Sequence, residues 1–249
     1  MGFPLETEPD GGLRFSVKHW YLWQSAEVPA GRRWPGGEVL PCNGGGADVG
    51  FLPMMQRRRL SPLARAACAV AWHGRQAAGD MPTVFFSRHG ESQYYLEMLQ
   101  DMAAGEPVSP SRFSLCVHNA IGGLFSFQTE SFLPYVSLAG GTEDLFAAFI
   151  EAGGQLQEVP QVMVVCYEQS LPTAYQGYVS SPPLTWALAL VLGRSGESGY
   201  GLKLTRTSCG NGASAGQQMP ALVQAILNGQ RNGEADLERS VWRWRLDDV

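Results

Sequence analysis

The run from Leu184 to Leu192 is nine residues long, and Thr185 is its only polar member. It is far short of the roughly 20 residues a membrane-spanning helix needs, yet too apolar to lie half in water. It reads as a strand covered on both faces, which demands a sheet with a layer on either side. Thr83 to Ser87 and Val162 to Tyr167 are shorter β-branched and aromatic runs of the same kind. Tyr135 to Leu138 reads as another inner strand, and Leu13 to Trp23, Leu202 to Thr205 and the alternating Val241 to Arg245 add more.

Helical segments fall between these runs. Ser61-Pro62 and Ser109-Pro110 each place a hydroxyl before a proline, the favoured opening of a helix. After the first, Leu63, Ala66, Ala67, Val70 and Ala71 form an apolar face. After the second, Phe113, Val117, Ile121 and Leu124 recur at helical spacing, and the pattern predicts one helix from Arg112 to Phe127. Tyr95, Met98, Leu99 and Met102 mark another helix. Thr142, Glu143 and Asp144 open one that Gly153-Gly154 closes, and Pro220 to Asn228 is the last. Alternation of this kind predicts an α/β fold with a mixed, largely parallel sheet and helices on both faces. We read residues 1–249 as a single domain with a long loop at about 29–50, rich in Pro and Gly, and a C-terminal extension at about 208–249.

Only 16% of the 249 residues are charged, below the usual quarter, which excludes a disordered or coiled-coil chain. The net charge of -5 gives no electrostatic ground for a nucleic-acid partner, and the basic run Arg57-Arg58-Arg59 is too short to reverse that. Met1 to Asp10 has neither the basic nor the apolar region of a secretory signal. Five cysteines, Cys42, Cys68, Cys116, Cys166 and Cys209, are odd in number and form no CxxC pair. They fit free thiols in a reducing cytoplasm, with no disulfide framework and no zinc site. No sequence motif calls for a cofactor or a metal.

Several motifs invite chemistry. Arg88-His89-Gly90-Glu91 follows a strand, as in the histidine phosphatase superfamily, which it resembles. That chemistry needs a second, late histidine, and the last one here is His118. Cys116 and His118 are two residues apart on a predicted helix and so face different ways, which disfavours a thiolate–imidazole pair. The glycines at 44–46 match no phosphate-loop pattern.

Three longer segments say more together. They are Leu52 to Arg65 (LPMMQRRRLSPLAR), Phe86 to Glu91 (FSRHGE) and Val108 to Leu124 (VSPSRFSLCVHNAIGGL), in this order. With the aromatic Trp242 to Trp244 segment they resemble the short β-ketoacyl synthase-like (N-terminal domain) family of bacterial polyene and polyketide clusters. The resemblance implies a thiolase-like fold equivalent to the N-terminal half of a ketosynthase. It also places the family's nucleophilic Cys in the turn Val136-Ser137-Leu138-Ala139-Gly140-Gly141-Thr142, where Ala139 or Gly140 stands instead. A ketosynthase further needs two histidines from a C-terminal half, which this sequence does not provide.

The resemblance therefore implies a catalytically dead subunit of the kind called a chain-length factor. Such a subunit pairs with a full-length β-ketoacyl-ACP synthase as a heterodimer, meets the acyl carrier protein through that complex, and shapes the acyl tunnel. Phe113, Cys116, Val117, His118, Asn119, Ile121, Leu124, Phe125 and Phe127 are the expected tunnel or partner-interface residues, and Arg57, Arg58, Arg59 and Arg65 the expected carrier-protein contact. A histidine phosphatase-like enzyme, a thiol acyltransferase using Cys116 and a pure assembly scaffold are the alternatives. Half of a two-half fold is also expected to leave one sheet face uncovered.

Overall fold

The structure is a computed structural model and describes residues 12–42, 44, 46–179, 181–208, 210–212 and 219–248. Met1 to Asp10, Asn43, Gly45 and Cys209 thus lie outside the described residues. In chain order the elements are β1 (Leu13–Gln24), β2 (Gly37–Val39), α1 (Met54–Arg57), α2 (Pro62–Ala78), β3 (Thr83–Phe86), α3 (Ser92–Ala103), α4 (Pro110–Cys116), α5 (Ala120–Gln128), β4 (Tyr135–Leu138), a 3₁₀ turn (Gly141–Glu143), α6 (Phe146–Gln155), β5 (Gln161–Glu168), α7 (Thr173–Gln176), β6 (Trp186–Arg194), β7 (Tyr200–Thr207), α8 (Ala221–Asn228), β8 (Asn232–Asp236) and β9 (Val241–Asp248).

One mixed sheet runs in the order β4-β3-β5-β6-β1-β7-β9-β8, with β2 added beside β1. Parallel pairing is confined to β3 with β4 and β5 and to the short β2 with β1. The other pairs are antiparallel, so the parallel part is smaller than the alternation of runs suggests. β6 returns against β5 without a crossover helix of the usual length, and β7, β9 and β8 form a meander.

The sheet separates two apolar layers, and strand alternation decides which side chain enters which. On β6, Leu188, Leu190 and Leu192 face α6 and α8, whereas Ala187, Ala189 and Val191 face α2. The small residues let α2 lie close. A Cβ on Gly74 of that helix would sit 2.7 Å from Met163 Sδ, so helix and sheet approach closely there and a larger residue would have to displace the Met163 thioether. The start of α2 is as expected: Ser61 Oγ accepts from Ala64 N at 2.8 Å, with proline at the first helical position.

Several expected boundaries are corrected. The single helix from Arg112 to Phe127 is two, because Val117 turns to extended backbone (ψ 148°) and ends α4. Helix α6 does not open at Thr142 to Asp144 but at Phe146, and it runs through Gly153-Gly154 to Gln155. Strand β4 is not inner: it ends the sheet, and among the described residues its outer edge has no partner. The uncovered face is corrected too. The C-terminal segment supplies α8, β8 and β9, whose Leu222, Ile226, Trp242 and Trp244 join α6 in the layer on that face.

Candidate functional site

The turn after β4 holds the two positions singled out by the sequence. Ala139 is exposed. Gly140 is packed so tightly that a Cβ there would lie 2.3 Å from Phe86 Cε2 and 2.4 Å from the Asp144 carbonyl oxygen. The chain then makes a 3₁₀ turn, and Asp144 takes a left-handed φ of 51° that a non-glycine residue rarely adopts. Helix α6, with its free amides, begins only at Phe146.

Glu143 anchors this turn to the other half of the sheet. Its Oε2 accepts from Trp242 Nε1 at 2.7 Å, Ser240 Oγ at 3.1 Å and Arg206 Nε at 3.0 Å, and its Oε1 accepts from the second Arg206 nitrogen at 2.8 Å. Those bonds, the Arg206 ones first, hold the carboxyl down at about 2. The Trp242 ring stacks on Phe146 with centroids 4.8 Å apart. The sequence marks Glu143 only as a helix-opening acid; its partners lie far along the chain, so spacing carries no signal for them.

The Arg88-His89-Gly90-Glu91 motif is a braced turn. Ser87 Oγ donates to Glu168 Oε1 at 3.0 Å and accepts from Gly90 N at 2.7 Å, while Arg88 N also donates to Glu168 Oε1. Glu91 Oε1 accepts from Ser61 Oγ at 2.5 Å, which ties the motif to the start of α2. Burial pushes the carboxyls of both Glu91 and Glu168 up to about 7. Burial, then the Arg88 charge, lowers the His89 imidazole. Two buried carboxyls, Glu91 within the motif and Glu168 bonded to it, oppose a phosphate, so the phosphatase reading is not supported.

Cys116 and His118 are not brought together for chemistry. Cys116 Sγ donates to the Arg112 carbonyl at 3.2 Å, and His118 Nε2 lies 2.9 Å from the Leu138 carbonyl oxygen at the end of β4. The thiols of Cys68, Cys116 and Cys166 are all pushed up, chiefly by burial, Cys68 to about 12. A nucleophilic thiol needs the opposite shift, so neither its environment nor its distance from an activating imidazole favours Cys116 as an acyltransferase nucleophile.

The other expected tunnel residues divide. Ile121 and Phe125 are buried in the layer under α2, Phe125 edge-on to Phe85 at 6.1 Å. Cys116, His118 and Leu124 are half-buried; Phe113, Val117, Asn119 and Phe127 are exposed. Phe127 borders a groove of about 750 Å³ with Gln56, Gly123, Glu130, Phe132 and Tyr135. Gly122 lies beneath the Tyr135 ring, which a Cβ would meet at 2.8 Å.

Exposed apolar side chains are concentrated in one stretch of the chain. Of the 14 large hydrophobic residues left exposed among those described, 11 lie between Met54 and Leu133, on α1, α3, α4, α5 and the segments joining them to β4. Phe132 is 98% exposed and Phe127 76%. Where such side chains share a groove, as Phe127 and Phe132 do, they mark an interaction surface. Beside it, Arg57, Arg58, Arg59 and Arg65 pair with no carboxylate among the described residues, although Arg75, Arg112, Arg206, Arg231, Arg243 and Arg245 all do. Among the described residues no helix is long and apolar enough to cross a membrane, and no group of three or more His, Cys, Asp or Glu is placed to hold a metal.

A sheet of this order with helices on both faces, and a strand-to-helix turn at the sheet's edge, is the architecture of a thiolase-like ketosynthase fold. Residues 20–245 match the β-ketoacyl synthase N-terminal domain, and the chain belongs to that family. Among solved structures it is similar to a chain of the ketosynthase (ApeO) in complex with its chain length factor (ApeC) from Xenorhabdus doucetiae. The TM-score is 0.74 at 23% identity, over 94% of this chain and 99% of that one. It is also similar to the ishigamide ketosynthase/chain length factor (TM-score 0.51, 15% identity, 79% of this chain and 64% of that one). A third likeness is to a β-ketoacyl synthase from Burkholderia phymatum (TM-score 0.57, 13% identity, 86% of this chain and 68% of that one). No curated protein sequence matches the chain.

Proposed function

We propose that this chain is a noncatalytic ketosynthase-like subunit, a chain-length factor, that pairs with an active β-ketoacyl-ACP synthase in polyketide, aryl polyene or fatty-acid-like biosynthesis. The observation that carries the reading is the open edge of β4 beside the groove in which the exposed Phe127 and Phe132 meet Tyr135. An unpaired strand edge next to exposed aromatic rings invites another chain, and a ketosynthase of the same fold is the partner we assign to it. A relative matched over 99% of its length comes from a complex of a ketosynthase and its chain length factor, which supports a partner of that kind.

The chemistry fits a supporting role. In a ketosynthase the helix dipole and backbone amides activate a cysteine at this turn. Here the turn has no cysteine, Gly140 has no room for one, and α6 opens too late to serve Ala139. We assign the groove beside Phe127, Phe132 and Tyr135 to the far end of the partner's acyl tunnel. Phe113, Val117 and Asn119 would then face the partner, while Cys116, His118, Ile121, Leu124 and Phe125 support the wall from behind. The exposed Arg58 and Arg59, with the half-buried Arg57 and Arg65, the latter donating to the Arg57 carbonyl, have no carboxylate partner among the described residues and would offer their charge to an acidic acyl carrier protein. Residues 1–249 act as one domain, in the cytoplasm where such carrier proteins work.

Co-expression with a full-length ketosynthase tests the reading. The two chains should co-purify, and the ketosynthase alone should give products of altered or mixed length. Separate elution, with full-length products from the ketosynthase alone, would overturn it.

A further inference from the structure

Strand β4 has only four residues and one neighbour, so its path depends on how its ends are held. At its exit the Leu138 carbonyl meets two donors, Ser87 N at 3.1 Å and His118 Nε2 at 2.9 Å. Gly140 is wedged against Phe86, and Asp144 holds its strained φ. A left-handed non-glycine residue persists only where its surroundings over-determine it. The neighbouring Glu143 supplies that constraint through charge-assisted bonds to Arg206 on β7, Trp242 on β9 and Ser240 just before β9. These strands lie in the opposite half of the sheet from β4, so a single carboxylate straps the partner-facing edge to the C-terminal meander.

We propose that Glu143 is a positioning residue that holds the turn 139–145, and with it the exit of β4, in the shape the partner ketosynthase docks against. The proposal rests on the pairing described above. It gives the C-terminal segment a task that a lone core-filling role does not: Trp242 both fills the layer and donates to Glu143, so cover and strap are built from the same side chain.

The test compares the wild-type chain with Glu143→Gln and Arg206→Gln, and with Glu234→Gln as a control that breaks an exposed pair to Arg243 elsewhere. Arg206→Gln leaves the Trp242 and Ser240 bonds in place and serves if Glu143→Gln fails to fold. Hydrogen exchange of residues 138–145 is read in the free chain, and affinity for the ketosynthase in the mixture. Loss of a charge-assisted bond is expected to speed exchange there and to weaken the complex by about tenfold each, while the control changes neither. Unchanged exchange, or faster exchange with wild-type affinity, would overturn the proposal. A wild-type chain that binds no ketosynthase would instead sink the pairing reading itself.

Discussion

The Phe86 ring lies so close to Gly140 that a β-carbon on that glycine would come within 2.3 Å of Phe86 Cε2. Overpacking of this kind costs about 1–3 kcal/mol and often more where backbone is also struck, as the Asp144 carbonyl would be at 2.4 Å. Gly140→Cys should therefore lower the unfolding midpoint sharply. The exposed Ala139→Cys should leave it nearly unchanged. Neither variant should regain condensing activity when assayed with a carrier protein and an extender thioester. The thiol of Ala139→Cys should alkylate no faster than an ordinary exposed cysteine, since no helix N-terminus lies beside it to lower its pKa.

Glu168 and Glu91 make stability depend on pH. Both carboxyls stand at about 7 in the folded chain, above the unfolded value near 4.3, so the folded state binds more protons between those values. Stability from this source is fully present below about pH 4 and is lost as pH rises through about 7. Glu168→Gln keeps an acceptor for Ser87 Oγ and Arg88 N without a charge to bury. Denaturant midpoints between pH 5 and 8 should fall with pH in the wild type and fall less in the variant. Parallel curves would show that Glu168 titrates outside this range. Glu143 has the opposite sign: held at about 2, it contributes stability above the unfolded value near 4.3 and loses it as pH falls towards 2.

The groove distinguishes wall from core. Phe127→Ala and Phe132→Ala remove exposed rings and should change stability by no more than about 0.5 kcal/mol. Phe125→Ala and Ile121→Ala empty buried positions and should cost about 2–5 kcal/mol. In a complex with a ketosynthase, Phe127→Ala should lengthen or broaden the products without stopping condensation. Products of unchanged length from an intact complex would remove the tunnel assignment and leave a scaffold.

Reversing charge at Arg58 and Arg59, both exposed and without a carboxylate partner among the described residues, should weaken carrier-protein binding and reduce its dependence on salt. Thermal stability should barely move, because no ion pair among the described residues is lost. Carrier-protein affinity equal to wild type at low salt would show that the cluster faces solvent only.

What the sequence made legible was local. The burial of β6 from Trp186 to Gly193, the Ser61 cap with its proline and the residue span of β4 follow from runs and caps that fall within a few neighbouring residues. What it hid depends on pairing over distance. Periodicity through Val117 could not reveal that His118 reaches the Leu138 carbonyl while the helix breaks. Nor could a buried-looking run say that β4 would lie at an edge, since an edge meant for a partner is as apolar as an inner strand. The site divided in the same way. The missing cysteine was plain at Ala139 and Gly140, but Glu143, Glu168 and the surface around Phe132 acquire meaning only through residues dozens of positions away.

Hydrogen exchange of Tyr135 to Leu138, measured with and without a full-length ketosynthase, tests the central claim most directly. If the open edge of β4 is the docking edge, its outward amides should exchange readily in the free chain and become strongly protected in the complex, together with the segments bearing Phe113, Phe127 and Phe132. Absence of a complex, or a complex in which Tyr135 to Leu138 exchanges as fast as before, would contradict the account.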